Sequence, residues 1–204
     1  AGVADARAVH DQPATRAGAA VLAPGDLNAD GYDDLLVGGP GDDGAVWLLH
    51  GPVTRARDLS AANATWTGSS ADPGLGSALF LHDGDVWVGS SASLTRLSGP
   101  WSGARTLPSP DVTDLELGAA LGSASALLDF DSTPDLLVAA GGVAQLWSGA
   151  PTGSATAMIV GEASGSPMGS AAAIGDGDGD RWPDLLLGAP GSDTAWLVPG
   201  PLSP

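Results

Sequence analysis

Apolar positions in this chain fall in short runs rather than at helical spacing. Four runs recur in matching surroundings: Leu35-Leu36-Val37-Gly38, Val86-Trp87-Val88-Gly89, Leu136-Leu137-Val138-Ala139 and Leu185-Leu186-Leu187-Gly188. Each is too short for a helix and predicts a strand buried on both faces. Upstream of each lies a small-residue segment opened by glycine: Gly18-Ala19-Ala20, Gly76-Ser77-Ala78, Gly122-Ser123-Ala124 and Gly169-Ser170-Ala171. These predict a preceding strand whose small side chains suit crowding near an axis. Downstream comes a third strand, clearest as Ala45-Val46-Trp47-Leu48-Leu49 and Thr194-Ala195-Trp196-Leu197-Val198. Each unit then ends near a proline: Pro52, Pro100, Pro151 or Pro201, spaced 48, 51 and 50 residues apart. Such a period is the mark of a repeat architecture.

A fourth strand completes the unit. Trp66, Val112 and Ile159 each stand ten residues before the opening glycine of the next repeat, and Ala8 stands ten before Gly18. The chain thus begins with a fourth strand and stops after a third, and the two ends add up to one unit. A ring of four-stranded blades closes in this way and loses its free edge. The expected fold is all-β: a four-bladed β-propeller with four antiparallel strands per blade, the N-terminal strand completing the last blade, and residues 1–204 forming one domain. An open β-solenoid, a piece of a larger ring and an eight-bladed dimer are the alternatives. Residues 53–62 carry the densest helical composition but lack an apolar face, so a loop is expected there.

Composition narrows the function. The 31 glycines and 16 prolines agree with many turns. The formal charge is −17, and all seven bases are arginine, which argues against nucleic acid or an anionic membrane as partner. With no cysteine, disulfides, thiolate catalysis and cysteine-ligated zinc are excluded. No apolar run approaches the roughly 18 residues of a membrane span, and no signal segment is expected at the start of this chain.

The acids are concentrated where the first strand of a unit meets the second. Residues 26–34 read Asp26-Leu27-Asn28-Ala29-Asp30-Gly31-Tyr32-Asp33-Asp34, and residues 176–184 read Asp176-Gly177-Asp178-Gly179-Asp180-Arg181-Trp182-Pro183-Asp184. Both put oxygen side chains at loop positions 1, 3, 5 and 9, a spacing that wraps a hard cation taking six to eight oxygens. Calcium is therefore expected in two sites. One is held by Asp26, Asn28, Asp30, Asp34 and the backbone carbonyl of Tyr32, the other by Asp176, Asp178, Asp180, Asp184 and that of Trp182. Magnesium fits less well because it wants a rigid octahedron and keeps its waters. Arg181 holds the position that favours glycine, so it is expected at positive φ or in a changed turn. In the third repeat, Asp129, Asp131 and Asp135 make a shorter set that suits at most a weak third ion. His82-Asp83-Gly84-Asp85 in the second is shorter still.

These residues resemble the FG-GAP repeat of the integrin α-subunit β-propeller and its bacterial relatives, strongly in the first and fourth units and weakly in the second and third. Gly188-Ala189-Pro190 matches the family's Gly-Ala-Pro step and Gly38-Gly39-Pro40 nearly does, while Ala17, Leu75, Leu121 and Met168 stand where the family often has phenylalanine. The resemblance implies calcium loops on one rim that rigidify the blades, and a ligand bound on a face of the ring. The family includes adhesion receptors, fungal lectins and domains of secreted bacterial proteins. Integrin propellers have more than four blades, so the resemblance carries over the metal positions and not an integrin ligand surface.

The expected function is a calcium-binding, integrin-like module that binds or adheres to a protein or glycan in an extracellular, periplasmic or cell-surface setting. Calcium availability and the lack of thiols suit that setting. A structural scaffold or self-assembling unit is the alternative, and a calcium-assisted polysaccharide lyase ranks third. A monomer is expected, with a dimer as the alternative, and no membrane insertion. Catalysis has little support. His10, His50 and His82 lie on different units, and no Gly-x-Ser-x-Gly elbow occurs at a strand–helix junction. Of the seven tryptophans, Trp47, Trp87, Trp147 and Trp196 are expected to pack between strands, while Trp66, Trp101 and Trp182 are the candidates for an exposed sugar-stacking surface.

Overall fold

The computed structural model describes residues 6–113, 121–123, 135–140, 143–160, 172–189 and 193–200. Its contacts divide into two compact units, one taking in most of the chain up to Pro110 and the other most of the chain from Asp111 onward. Among the described residues the structure is all-β, with two short 3-10 turns and no α-helix.

The first unit contains β1 (Ala8–Val9), β2 (Ala20–Gly25), β3 (Asp34–Gly39), β4 (Ala45–Leu49), β5 (Arg57–Asp58), β6 (Ala64–Thr67), β7 (Ala78–His82), β8 (Asp85–Gly89), β9 (Leu94–Leu97) and β10 (Gly103–Arg105). The first repeat folds as an antiparallel run β2-β3-β4-β6, with Leu36 opposite Leu22 and Leu48, and Trp47 opposite Thr65. Alternation along the strands separates two apolar faces. Leu36, Val46, Leu48, Ala64 and Trp66 share a core with Leu79, Val86, Val88 and Leu97 of the β7-β8-β9 sheet. Val37, Trp47 and Leu49 pack on the other side against Leu59. Leu59 opens one of the 3-10 turns, so residues 53–62 carry a short strand and a single turn rather than a helix.

Glycine is demanded where the two sheets approach. A Cβ on Gly38 would lie 2.2 Å from the Gly76 carbonyl oxygen, and one on Gly76 would lie 2.5 Å from that of Ala45. Gly76 also sits at φ 86 and Gly18 at φ 92. Their N–H groups donate to the carbonyls of Gly89 and Gly38, each at 2.9 Å. The glycine that opens these two repeats is thus a left-handed joint tied to the end of the repeat's own second strand.

The second unit contains β11 (Leu121–Ser123), β12 (Leu136–Ala140), β13 (Val143–Trp147), β14 (Ala157–Val160), β15 (Ala172–Gly175), β16 (Asp184–Ala189) and β17 (Thr194–Val198). The third repeat is a four-stranded antiparallel sheet, β11-β12-β13-β14, and the fourth a three-stranded one, β15-β16-β17. Leu137, Ala144 and Leu146 of the third pack with Leu185, Leu187 and Ala189 of the fourth.

Four departures from the sequence expectation stand out. Ala8 and Val9, expected in the strand that completes the last blade, form β1, whose pairing among the described residues is parallel to β5, with Ala8 opposite Arg57 and Val9 opposite Asp58. Val112 makes a single β-bridge, and an additional short strand not expected from the sequence, β10, runs parallel to β6. The sheets of the second and fourth repeats have three strands among the described residues. Burial of the apolar runs on both faces is incomplete in two of them: Leu35 is 37% exposed in β3 and Leu186 is 44% exposed in β16. Register between distant segments is a tertiary choice, and two-residue strands carry too little periodicity to announce it. Gly169, Ser170 and Pro201 lie outside the described residues.

Candidate metal centre

The first aspartate loop starts from a strand end shaped to launch it. β2 carries a register shift between Leu22 and Gly25, and Gly25 sits at φ 93 opposite Asp34. Such an irregularity re-aims the chain leaving a strand. The loop then turns its side-chain oxygens back on its own N–H groups. Asp26 accepts from Asp30 at 3.1 Å on Oδ1 and from Gly31 at 2.7 Å on Oδ2. The Asn28 Oδ1 accepts from Asp30 at 3.0 Å, and the Asp30 Oδ1 accepts from Tyr32 at 3.0 Å. The Asn28 amide also donates to the Asp30 Oδ2 at 2.9 Å. Asp34 closes the loop, accepting from Leu27 on Oδ2 and from Gly51 on Oδ1, each at 3.0 Å.

The fourth repeat builds a similar net, its first aspartate accepting from loop positions 4 and 6 where that of the first repeat accepts from 5 and 6. Asp176 accepts from Gly179 at 2.6 Å and from Arg181 at 3.1 Å. Asp178 accepts from Asp180 at 3.0 Å, and Asp180 from Trp182 at 2.8 Å. Asp184 accepts from Gly177 at 2.7 Å and Asp178 at 3.2 Å on Oδ2, and from Gly200 at 2.9 Å on Oδ1. Elsewhere in the loops corresponding positions do corresponding work in two stretches of different sequence. Gly31 N–H bonding, ahead of the other loop amides, holds the Asp26 carboxyl below the ordinary carboxylate value. The Gly200 N–H and then the Gly177 N–H do the same for Asp184. Both acids are therefore ionised at neutral pH, as a cation ligand must be.

Asp176, Asp178 and Asp184 each offer a carboxylate oxygen within 4.8 Å of the others. The first two are exposed and the third is buried at the root of β16. The donor set is all hard oxygen, with open side toward solvent, and it fits a divalent cation of the calcium class. In the first loop the third position is Asn28 in place of an aspartate, so that loop offers less charge. Tyr32 and Trp182 are both exposed at position 7.

The turn geometry shows how the two sequences reach one shape. Positions 4 and 6 both take positive φ: Ala29 at 62 and Gly31 at 90 in the first loop, Gly179 at 87 and Arg181 at 76 in the fourth. Arg181 therefore does adopt the left-handed conformation its position demands. Each loop has one glycine and one strained non-glycine, in exchanged places.

Sequence reasoning missed the glycines that cap the closing aspartates. Gly51, Gly149 and Gly200 each donate their N–H to the Oδ1 of Asp34, Asp135 and Asp184, the Gly149 bond being 3.2 Å. All three acids are buried. A Cβ would lie 2.3 Å from the Asp33 carbonyl at Gly51 and 2.5 Å from that of Pro183 at Gly200. The recurrence of glycine at each repeat end, just before or near the proline, was the signal. Of the third-repeat set, Asp129 and Asp131 lie outside the described residues. In the second repeat Asp83 and Gly84 take φ 50 and 79, a tight two-residue turn, and Asp85 pairs with Arg96 at 3.0 Å.

Trp47, Trp87 and Trp147 are buried and Trp182 is exposed as expected, whereas Trp66, Trp101 and Trp196 exchange their expected roles. Trp66 is 1% exposed and meets Trp101 edge-on at 5.9 Å between centroids. Trp182 and Trp196 are the exposed ones, at 48% and 37%. The His50 Nε2 donates to the Trp101 carbonyl at 2.8 Å, and the His10 ring lies against Trp47. Both rings serve as packing and tethering groups.

A model of the FG-GAP repeat matches residues 18–49, which run from the opening glycine through the first aspartate loop to the end of β4. Integrin alpha pat-2 of Caenorhabditis elegans is similar to this chain, with 46% identity over 55 residues. That match covers 25% of this chain and 4% of the integrin, so the likeness is to a small part of that protein. No helix among the described residues is long and apolar enough to cross a membrane. Residues 18–49 are thus similar to one FG-GAP repeat, and a quarter of the chain is similar to part of an integrin α-subunit.

Proposed function

We propose that the chain is a calcium-stabilised, integrin-like binding module that works outside the cytoplasm on a protein or glycan ligand, with its four repeats arranged as the blades of a single propeller domain. The observation that carries the calcium reading is the converging of Asp176, Asp178 and Asp184 within 4.8 Å, on a hydrogen-bond net similar to that of residues 26–34. Three like charges at that separation repel unless a cation lies among them. When bound, calcium would neutralise the carboxylates of Asp26, Asp30 and Asp34, or of Asp176, Asp178, Asp180 and Asp184. Asn28 and the Tyr32 and Trp182 carbonyls would complete the two sets. The chain's own part is to pre-aim these oxygens through backbone N–H groups and to root each loop on a buried aspartate. That is a structural role, and no catalytic step is assigned to it.

Calorimetric titration of chelator-stripped protein with calcium, and separately with magnesium, tests this. Two calcium ions and a weaker magnesium response are expected. Retention of only one ion in Asp178→Asn places the second in the fourth repeat. Absence of calcium binding would reduce both loops to acidic turns. A second reading, self-assembly, is favoured by one feature: Leu186 and Leu197, a cross-strand pair on β16 and β17, are 44% and 48% exposed. A mass that rises with concentration in sedimentation would support it, and a constant monomer mass would remove it.

A further inference from the structure

The third repeat lacks the full aspartate spacing but carries a cavity. The β13-β14 hairpin uses its two faces for different purposes. Ala144 and Leu146 point into the apolar core, with Ala157 and Ile159 beside them. Gln145 and Trp147 lie on the opposite face, where Gln145 is directly across from Met158. That face, the turn after β13 and residues 111–113 enclose a pocket of about 540 Å³. The volume lies within the roughly 300–1,000 Å³ of small-molecule sites.

The lining is chemically mixed. Val112, Ala155, Met158 and the Trp147 ring supply apolar surface, and Asp111, Thr113, Gln145 and Ser154 supply polar groups. Trp147 is held in place by its Nε1, which donates to the Gly153 carbonyl at 3.3 Å. The Gln145 Oε1 is buried and accepts no hydrogen bond. A buried acceptor left without a donor is costly, and a turn of the half-buried Gln145 amide that brings this oxygen to a ligand hydroxyl in the cavity removes that cost. None of the lining residues is basic, and the chain is strongly acidic, so an anion is disfavoured. A purely apolar ligand would leave the amide oxygen unmet. A sugar ring presents C–H surface and donating hydroxyls together, which is the complement of this lining.

We propose that the pocket between β13, β14 and residues 111–113 is a binding subsite for a neutral hexopyranoside, with Gln145 Oε1 accepting from a sugar hydroxyl and Trp147 and Met158 flanking the ring. The proposal rests on the reading of the chain as a binding module and names the ligand class for it; the calcium loops take no part.

The test is saturation-transfer NMR and calorimetry of the whole chain with methyl α-D-glucopyranoside, methyl α-D-mannopyranoside, methyl β-D-galactopyranoside and N-acetylglucosamine, in calcium buffer. At least one is expected to bind saturably. Gln145→Leu should weaken that binding by about tenfold, equivalent to one lost hydrogen bond of the stronger kind, while its melting temperature stays level or rises. Ser154→Ala and Met158→Ala, on exposed positions, test the pocket should the Gln145 variant fail to fold; a loss of affinity in either supports the site. Binding untouched by all three variants overturns the location. Binding of methylguanidinium in place of the sugars, or of no probe at all, overturns the ligand class. Calcium titration of the same samples separates the two readings: calcium bound without sugar sinks this proposal alone, and sugar bound without calcium sinks only the metal assignment.

Discussion

Single residues set the shape of the aspartate loops, and two of them work against their own backbone preference. Ala29 and Arg181 take φ 62 and 76. A left-handed conformation costs a non-glycine residue about 1–2 kcal/mol, and glycine returns about 0.4–1 kcal/mol of that through unfolded-state entropy. Ala29→Gly and Arg181→Gly should therefore each stabilise the protein by about 0.5–1 kcal/mol in urea unfolding. A destabilisation would mean that the side chain contributes contacts outweighing the strain. The capping glycines should behave in the opposite way. Gly51→Ala brings a Cβ to 2.3 Å from the Asp33 carbonyl and 2.9 Å from the Tyr32 Cβ, so the loop must shift. A loss of about 1–3 kcal/mol is expected, together with weaker calcium binding at the first loop. Unchanged calorimetry in this variant would show that the Gly51–Asp34 bond does not position the ligands. The need for a left-handed residue at position 181 was legible, because a loop spacing implies its turn. The glycine caps were not, because their partners lie 14 to 17 residues away in the chain.

At the level of elements, short turns are held by side chains that titrate. Asp58 caps the turn at Leu59–Ala61, its Oδ1 accepting from the Ser60 N–H at 2.9 Å. That bond, then the Ser60 side chain and further off the charge of His10, hold its carboxyl below the ordinary 3.8. A native value below the unfolded one means that the ionised form favours folding. The contribution is present in full above the unfolded value and fades as pH falls through the lowered native one. Urea unfolding of wild type and Asp58→Asn, compared from about pH 5 to pH 2, should show the wild-type advantage shrinking with acid. A difference that stays constant over that range would show that the carboxylate is not the source of the cap. The strands themselves were read well from the pattern. All four apolar runs are strands, and β6 and β14 contain the expected Trp66 and Ile159. The parallel pairs β1-β5 and β6-β10 were not readable, since short polar segments take whatever edge the packed sheets leave free.

For the whole molecule, each compact unit holds one complete aspartate loop, so calcium would act on both. With free calcium about 100-fold above the dissociation constant, a site adds roughly 2.7 kcal/mol. In a chain of this size that is a rise of about 5–10 °C in melting temperature per site. Excess chelator should therefore lower the melting temperature measurably, and in Asp178→Asn by about half as much. An identical melting curve with and without chelator would leave the fold to its apolar cores alone. The sequence by itself determined the repeat, the all-β class, the order of the first three strands of each repeat and the oxygen spacing of the loops. All of these are local, since period, turn chemistry and ligand spacing are written in neighbouring residues. Only the tertiary structure decided which tryptophans are exposed, which edge β1 and β10 join, which glycines cap the buried aspartates, and that the face of β13 carrying Gln145 and Trp147 opens on a cavity. These depend on which surfaces meet across long stretches of chain, and alternation along one strand says that a face exists without saying what covers it.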